Sequence, residues 1–84
     1  MVRIADMIRA KVASGDLPLD RPEKMYVGYG RDNACDACEL LIHQAQMEYE
    51  LDFPAQGRTY RLHLGCAGLL EGERLKRGEP PVGR

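Results

Sequence analysis

Tryptophan is absent from this 84-residue chain, phenylalanine occurs once and tyrosine four times. A chain of this length buries only about 60–65% of the surface it exposes when unfolded. Without large rings to fill it such a core is marginal, and a covalent or metal staple is expected. Long hydrophobic runs are missing too. Nothing approaches the roughly 18 apolar residues of a membrane-spanning helix, and the first residues lack the apolar stretch of a secretory signal. These absences give the expectation of a cytoplasmic protein outside the membrane. Neither sign of charge prevails, with twelve Lys and Arg against thirteen Asp and Glu. That excludes a generally polycationic nucleic-acid binder. Catalytic signatures are equally scarce. No Ser–His–Asp order and no phosphate loop occur, and Gly28-Tyr29-Gly30 lacks both a preceding strand and the third glycine of a dinucleotide fingerprint. The reading is non-enzymatic.

What remains is globular: 44% apolar and 30% charged residues fit one domain over residues 1–84. Cysteine is used sparingly and to a pattern. Cys35, Cys38 and Cys66 are an odd set, so disulfides would leave one thiol over, and a reducing compartment disfavours them. Cys35-Asp36-Ala37-Cys38 and, after a gap, His63-Leu64-Gly65-Cys66 make C-x2-C…H-x2-C. Zinc takes four tetrahedral N and S ligands, and a two-residue spacer lets one tight turn aim two side chains at one ion. A single structural Zn2+ on Cys35, Cys38, His63 and Cys66 is the leading expectation. A thioredoxin-type redox pair is an alternative, but that motif opens a helix after a strand. Here Cys35 follows the turn-rich Gly28-Tyr29-Gly30-Arg31-Asp32-Asn33. Inert buried thiols are a third reading. His43, five residues after Cys38, falls outside the paired spacing and reads as a solvated turn or strand-start residue, a ligand only if His63 is not.

Residues 1–15 read as a helix from about Val2 to Ser14, because Ile4, Ile8 and Val12 recur every four residues with Ala5 beside them. Asp6 lies one turn from Arg9, Gly15 stops the helix and Pro18 prevents its resumption. Residues 16–34 read as an irregular connector punctuated by Pro18, Pro22, Gly28 and Gly30. Its Leu17, Leu19, Met25, Tyr26 and Val27 are apolar enough to lie partly against the core. Residues 35–77 form the zinc module. Within it Met47, Tyr49, Leu51 and Phe53 alternate with Gln46, Glu48, Glu50 and Asp52, the period of a half-buried strand. Pro54-Ala55-Gln56-Gly57 is a turn, and Thr59 to Leu64 alternates again, with Tyr60, Leu62 and Leu64 on one face. A four-residue loop then pairs Leu51 with Tyr60, Tyr49 with Leu62, Glu50 with Arg61 and Glu48 with His63. Glu48 thereby becomes a candidate acceptor for the second ring N–H of His63, against the plainer reading of an exposed carboxylate meeting water or Arg61. A helix follows from Cys66 to Arg77, weakened by Gly68 and Gly72, with Lys76 and Arg77 opposing its negative end. Gly78 and Pro80-Pro81 end it, leaving 78–84 as a flexible tail.

A two-cysteine knuckle, a hairpin and a helix with the second ligand pair at its start follow an order that resembles the treble-clef zinc finger. The expected fold class is therefore a small zinc-stapled α+β domain: N-terminal helix, zinc knuckle, β-hairpin, C-terminal helix. The C-x2-C…H-x2-C order is also similar to the fingers of poly(ADP-ribose) polymerases, which bind DNA breaks. The spacer here is shorter than theirs, and no basic, break-stacking surface is evident. Tyr26-Val27-Gly28-Tyr29-Gly30 ahead of Cys35-Asp36-Ala37-Cys38, with the hairpin and second pair, resembles small bacterial zinc-binding proteins of uncharacterised role over about residues 25–77. That resemblance implies no activity. One position departs from zinc knuckles: Glu39 stands where glycine often follows the second cysteine.

Three roles follow as expectations. The first is a non-catalytic interaction or regulatory module, monomeric or weakly homodimeric, that offers a rigid surface to a protein partner. Ile4, Ile8 and Val12 are more readily core than interface in so short a chain. The second is nucleic-acid binding. Residues 1–55 hold six basic and ten acidic groups and residues 56–84 six basic and three acidic. Arg58, Arg61, Arg74, Lys76 and Arg77 would then form a phosphate-facing patch, against the plainer reading of a solvated polar face. The third is a thiol or zinc redox sensor that releases its metal when Cys66 or the knuckle oxidises. Tyr26 and Tyr29 either pack on the knuckle or stack on a ligand.

Overall fold

A computed structural model of the chain describes residues 3–76, so the expectations for Val2, Arg77 and the 78–84 tail lie outside the described residues. Helix α1 (Ile4–Ser14) buries Ile8 and half-buries Val12, while Ile4 stays exposed. Asp6 and Arg9 pair at 3.1 Å. Gly15 ends the helix at φ 88°, where its N–H donates to Val12 O, a left-handed conformation that costs a residue without a Cβ nothing. Leu17 is buried and Leu19 packs against the core, as their apolarity predicts.

The rest of the connector is not irregular. Lys24–Tyr29 forms strand β1, and Asn33–Ala34 (β2) pairs with Leu41–Ile42 (β3) in a short ribbon. Met25, Tyr26 and Val27, expected to pack partly on the core, are exposed along with the whole of β1. Gly28-Tyr29-Gly30 therefore does sit at a strand, contrary to expectation, yet the ribbon and not a helix follows it. Strands β4 (Met47–Phe53) and β5 (Arg58–His63) complete a three-stranded antiparallel sheet of order β1-β4-β5. The hairpin adopts the expected register, Leu51 opposite Tyr60, Tyr49 opposite Leu62, Glu50 opposite Arg61 and Glu48 opposite His63. Its turn is a short 3-10 segment, Pro54–Gln56, closed by Gly57 at φ 65°. Phe53 and Tyr60 pack edge to face beside it, centroids 5.6 Å apart.

Helix α2 (Leu64–Lys76) starts two residues earlier than expected, so Leu64 is helical and exposed and does not extend the strand. The helix packs on α1 and across β4 and β5. The core gathers Ile8 and Leu17 with Leu51, Phe53, Tyr60, Leu62 and Leu70. Arg74 ties the connector to α2. Its Nε donates to Leu19 O at 2.6 Å, one terminal nitrogen to Asp20 O at 2.9 Å, and the other pairs with Glu71 at 2.6 Å.

The opposite face of the sheet, expected to meet solvent, is partly covered by the ribbon. Glu48 is only 3% exposed. Gly30 is the close-approach point: a Cβ there would collide with the carbonyl oxygens of Ile42 and His43. Gly30→Ala should therefore lift the ribbon and destabilise the protein by about 1–3 kcal/mol, read from urea unfolding midpoints. An unchanged midpoint would show that the ribbon does not press on the sheet.

Candidate metal centre

The knuckle is the turn between β2 and β3. The Cys35 N–H donates to Leu40 O at 2.8 Å and the Glu39 N–H returns to Cys35 O at 2.9 Å, reversing the chain so that both thiols face one way. Glu39 holds φ 70° to complete this turn, the position where glycine would be unstrained. Asp36 then clamps the knuckle to the outer edge of β5. Its N–H donates to Arg61 O at 2.8 Å, and its Oδ2 accepts the Arg61 N–H at 2.7 Å. From the other side Lys11 donates to Asp36 O at 2.9 Å and pairs with Glu39 at 2.8 Å. Neither Asp36 nor Lys11 was expected to matter. The acidic spacer residue was a visible signal for the first, whereas nothing in the sequence marks the second.

His63 ends β5 and Cys66 falls in the first turn of α2, so the strand-to-helix junction supplies the other pair. The donor atoms of Cys35, Cys38, His63 and Cys66 all lie within 4.8 Å of one another. His63 Nδ1 is 3.4 Å from Cys38 Sγ and 4.0 Å from Cys66 Sγ. Adjacent ligands on a tetrahedral zinc with ordinary bond lengths are roughly 3.5–3.8 Å apart, so the cluster has the size of one coordination sphere. All three cysteines are free and buried, and their geometry is compatible with a single metal ion.

The second nitrogen of His63 fixes its tautomer. Nε2 is 3.0 Å from Leu41 O; a carbonyl only accepts, so Nε2 carries the proton and Nδ1 turns its lone pair to the sulfurs. This corrects the expectation for Glu48. It stands opposite His63 in the register, but β3 supplies the acceptor, and Glu48 Oε1 is buried without a hydrogen-bond partner. His43 lies outside the cluster, exposed, with Nδ1 3.9 Å from Asp32.

So many sulfurs in so small a volume cannot all ionise unaided. Cys35 is held down at about 3, chiefly by the hydrogen bond from Cys66 and further by backbone N–H groups around Cys38, His63 and Ala37, against the effect of burial. Cys66 is pushed up, first by giving its proton to Cys35, then by burial and the negative charge of Cys35 and Cys38. The proton on Cys66 must leave for a metal to bind all three sulfurs as thiolates beside the imidazole.

Four of the five basic candidates fall among the described residues, and their contacts differ. Arg74 is 3% exposed with its donors taken by Leu19, Asp20 and Glu71, so it is an internal tie and not a phosphate-facing cation. Arg61 pairs with Glu50 at 3.7 Å, and Arg58 lies over the Tyr60 ring at 5.0 Å. Lys76 is exposed at the end of α2, and Arg77 lies outside the described residues.

Two substitutions test this geometry. Glu39→Gly relieves a left-handed backbone worth about 1–2 kcal/mol and loses an ion pair worth about 0–1. The metal-loaded protein should gain about 1 kcal/mol in guanidinium unfolding; a loss would mean the Lys11 contact governs the turn. Glu48→Gln should leave metal affinity unchanged in competition with a chromophoric chelator, and a weaker site would return Glu48 to the imidazole. No family model matches the chain, and no curated protein or solved structure shows significant similarity to it, so its functional reading rests on this cluster alone.

Proposed function

We propose that the chain is a non-catalytic zinc module of treble-clef-like arrangement, in which one structural Zn2+ bound by Cys35, Cys38, His63 and Cys66 rigidifies a small surface used to contact another protein. The observation that carries the reading is the convergence of those four donors within 4.8 Å. Three thiolates and an imidazole are the donor set of structural zinc, and four protein ligands leave no open position for water or substrate. The position of Cys66 in the first turn of α2 adds support, because a helix start favours a thiolate.

The zinc is proposed as a staple. Structural zinc in finger peptides contributes roughly 10–16 kcal/mol of apparent binding energy, more than a core this thin supplies. A surface for nucleic acid is not favoured, since Arg74 is turned inward and Arg61 is paired with Glu50. Nor is a redox sensor, since the three cysteines are 1–8% exposed and oxidation needs access to the thiolate. Among the described residues no helix is long and apolar enough to cross a membrane.

Elemental analysis of the purified protein should find one zinc per chain, and cobalt substitution should give the visible bands of a tetrahedral thiolate site. Exhaustive chelation, or Cys66→Ser, should collapse the dispersed amide resonances of residues 35–75. A far-UV circular dichroism spectrum indifferent to chelation would end the staple reading.

A further inference from the structure

The two edges of the sheet are finished differently. Asp36 caps the outer edge of β5 with a backbone and a carboxylate hydrogen bond to Arg61. Nothing comparable covers β1, where all six residues are exposed, Tyr29 to 71%. The register identifies the open groups. β1 pairs with β4 from Lys24–Asp52 to Tyr29–Met47, and the Gly30 N–H donating to Gln46 O at 2.8 Å continues that register. Antiparallel strands alternate their bonding direction residue by residue. Tyr26 and Gly28 therefore bond inward with Gly30, while the N–H and C=O groups of Met25, Val27 and Tyr29 face away from β4. Among the described residues no hydrogen bond reaches them. Between Met25 and Tyr29 there is neither a proline nor a charge, the usual devices against strand addition.

We propose that the β1 edge pairs with the β1 edge of a second copy of this chain, antiparallel, about a two-fold axis through Val27. This names a partner for the interaction module proposed above, and rests on that reading only in that metal holds the fold. Three complementarities select a second copy and this register. Val27 meets Val27 with Met25 opposite Tyr29, so every outward-facing group finds a partner and the pleat of both sheets stays continuous. Tyr26 falls opposite Gly28, where a missing side chain leaves open space, with no atom within 4 Å of the would-be Cβ; a ring laid over a strand glycine restores the lost packing. Beyond the strand ends, Glu23, whose own N–H turns inward to Asp52 O at 3.0 Å, then comes near Arg31 of the second copy, twice by symmetry, acid against base. The product is a six-stranded sheet of order β5-β4-β1-β1-β4-β5, with Met25, Val27 and Tyr29 of both copies on one apolar face.

The test is sedimentation equilibrium on the full, zinc-loaded chain, with metal content measured on the same sample. A concentration-dependent dimer is expected. Val27→Pro deletes one outward N–H and no bond to β4, so it should leave metal content and circular dichroism intact and abolish the dimer. Arg31→Glu and Glu23→Arg should each weaken self-association about tenfold by opposing like charges. An equimolar mixture of those two variants should associate again, because both cross-contacts then join opposite signs. If Val27→Pro fails to fold, the mixing experiment decides by itself. A monomer into the millimolar range, a dimer that survives Val27→Pro, or a mixture no better associated than its components would overturn the proposal. Zinc present without a dimer refutes this inference alone, and a dimer without zinc refutes the metal reading alone.

Discussion

Electrostatic crowding of buried sulfur is the constraint on which the remainder of this structure depends. Cys35, Cys38 and Cys66 are buried, and with His63 their donor atoms lie within 4.8 Å. Ionised thiolates that close repel one another strongly where water is excluded. Cys35 is lowered and Cys66 raised chiefly by the hydrogen bond between them, with the negative charge of Cys35 and Cys38 raising Cys66 further. A divalent cation would resolve the repulsion at once, and would also tie together a six-residue turn, the end of β5 and the start of α2.

The surrounding polar groups can be understood from this demand. The ribbon is held to the sheet by Asp36 on β5, by the Leu41 carbonyl on His63 and by the close approach at Gly30. Laying it there buries Glu48 Oε1 and Arg61 Nε without partners, and each such atom costs about 1–3 kcal/mol. It also forces Glu39 into a left-handed conformation. A metal on the four donors would offset those terms, since structural zinc in finger peptides contributes roughly 10–16 kcal/mol of apparent binding energy.

How much of this was legible follows from what each signal encodes. The hairpin's register was readable to the residue, because a period of two fixes facing pairs and a loop length fixes register. The clustering of the four donors was readable because coordination chemistry restricts their spacing. Strand β1 was hidden, since Tyr26 and Tyr29 fall on opposite faces and Gly28 interrupts them; an edge strand exposed on both sides writes no alternation. β2 and β3, of two residues each, are too short for any period. Glu48 shows the limit most clearly. Its place opposite His63 was foreseen, but alternation says which face a side chain takes and not what covers that face. Arg74 reads as a last-turn surface cation, and only the path of the connector turns it inward.

The donor cluster and the open edge lie on different strands, and this separation bears on what a bound ion would be for. Near β5, Asp36 caps the edge at Arg61, the histidine proton is taken, and the thiols are buried. Across the sheet, β1 offers unpaired main-chain groups with Val27 and Tyr29 beside them. β4 connects the two, bonding β1 through Glu48 and Glu50 and β5 through Tyr49 and Leu51 in strict alternation. A metal bound at one edge would thus steady the strand at the other without taking any ligand from it. Recognition by such an edge depends on its being straight and already ordered, since a disordered strand would lose in conformational entropy what its hydrogen bonds gain. On this view a bound ion would act at a distance, by rigidity alone.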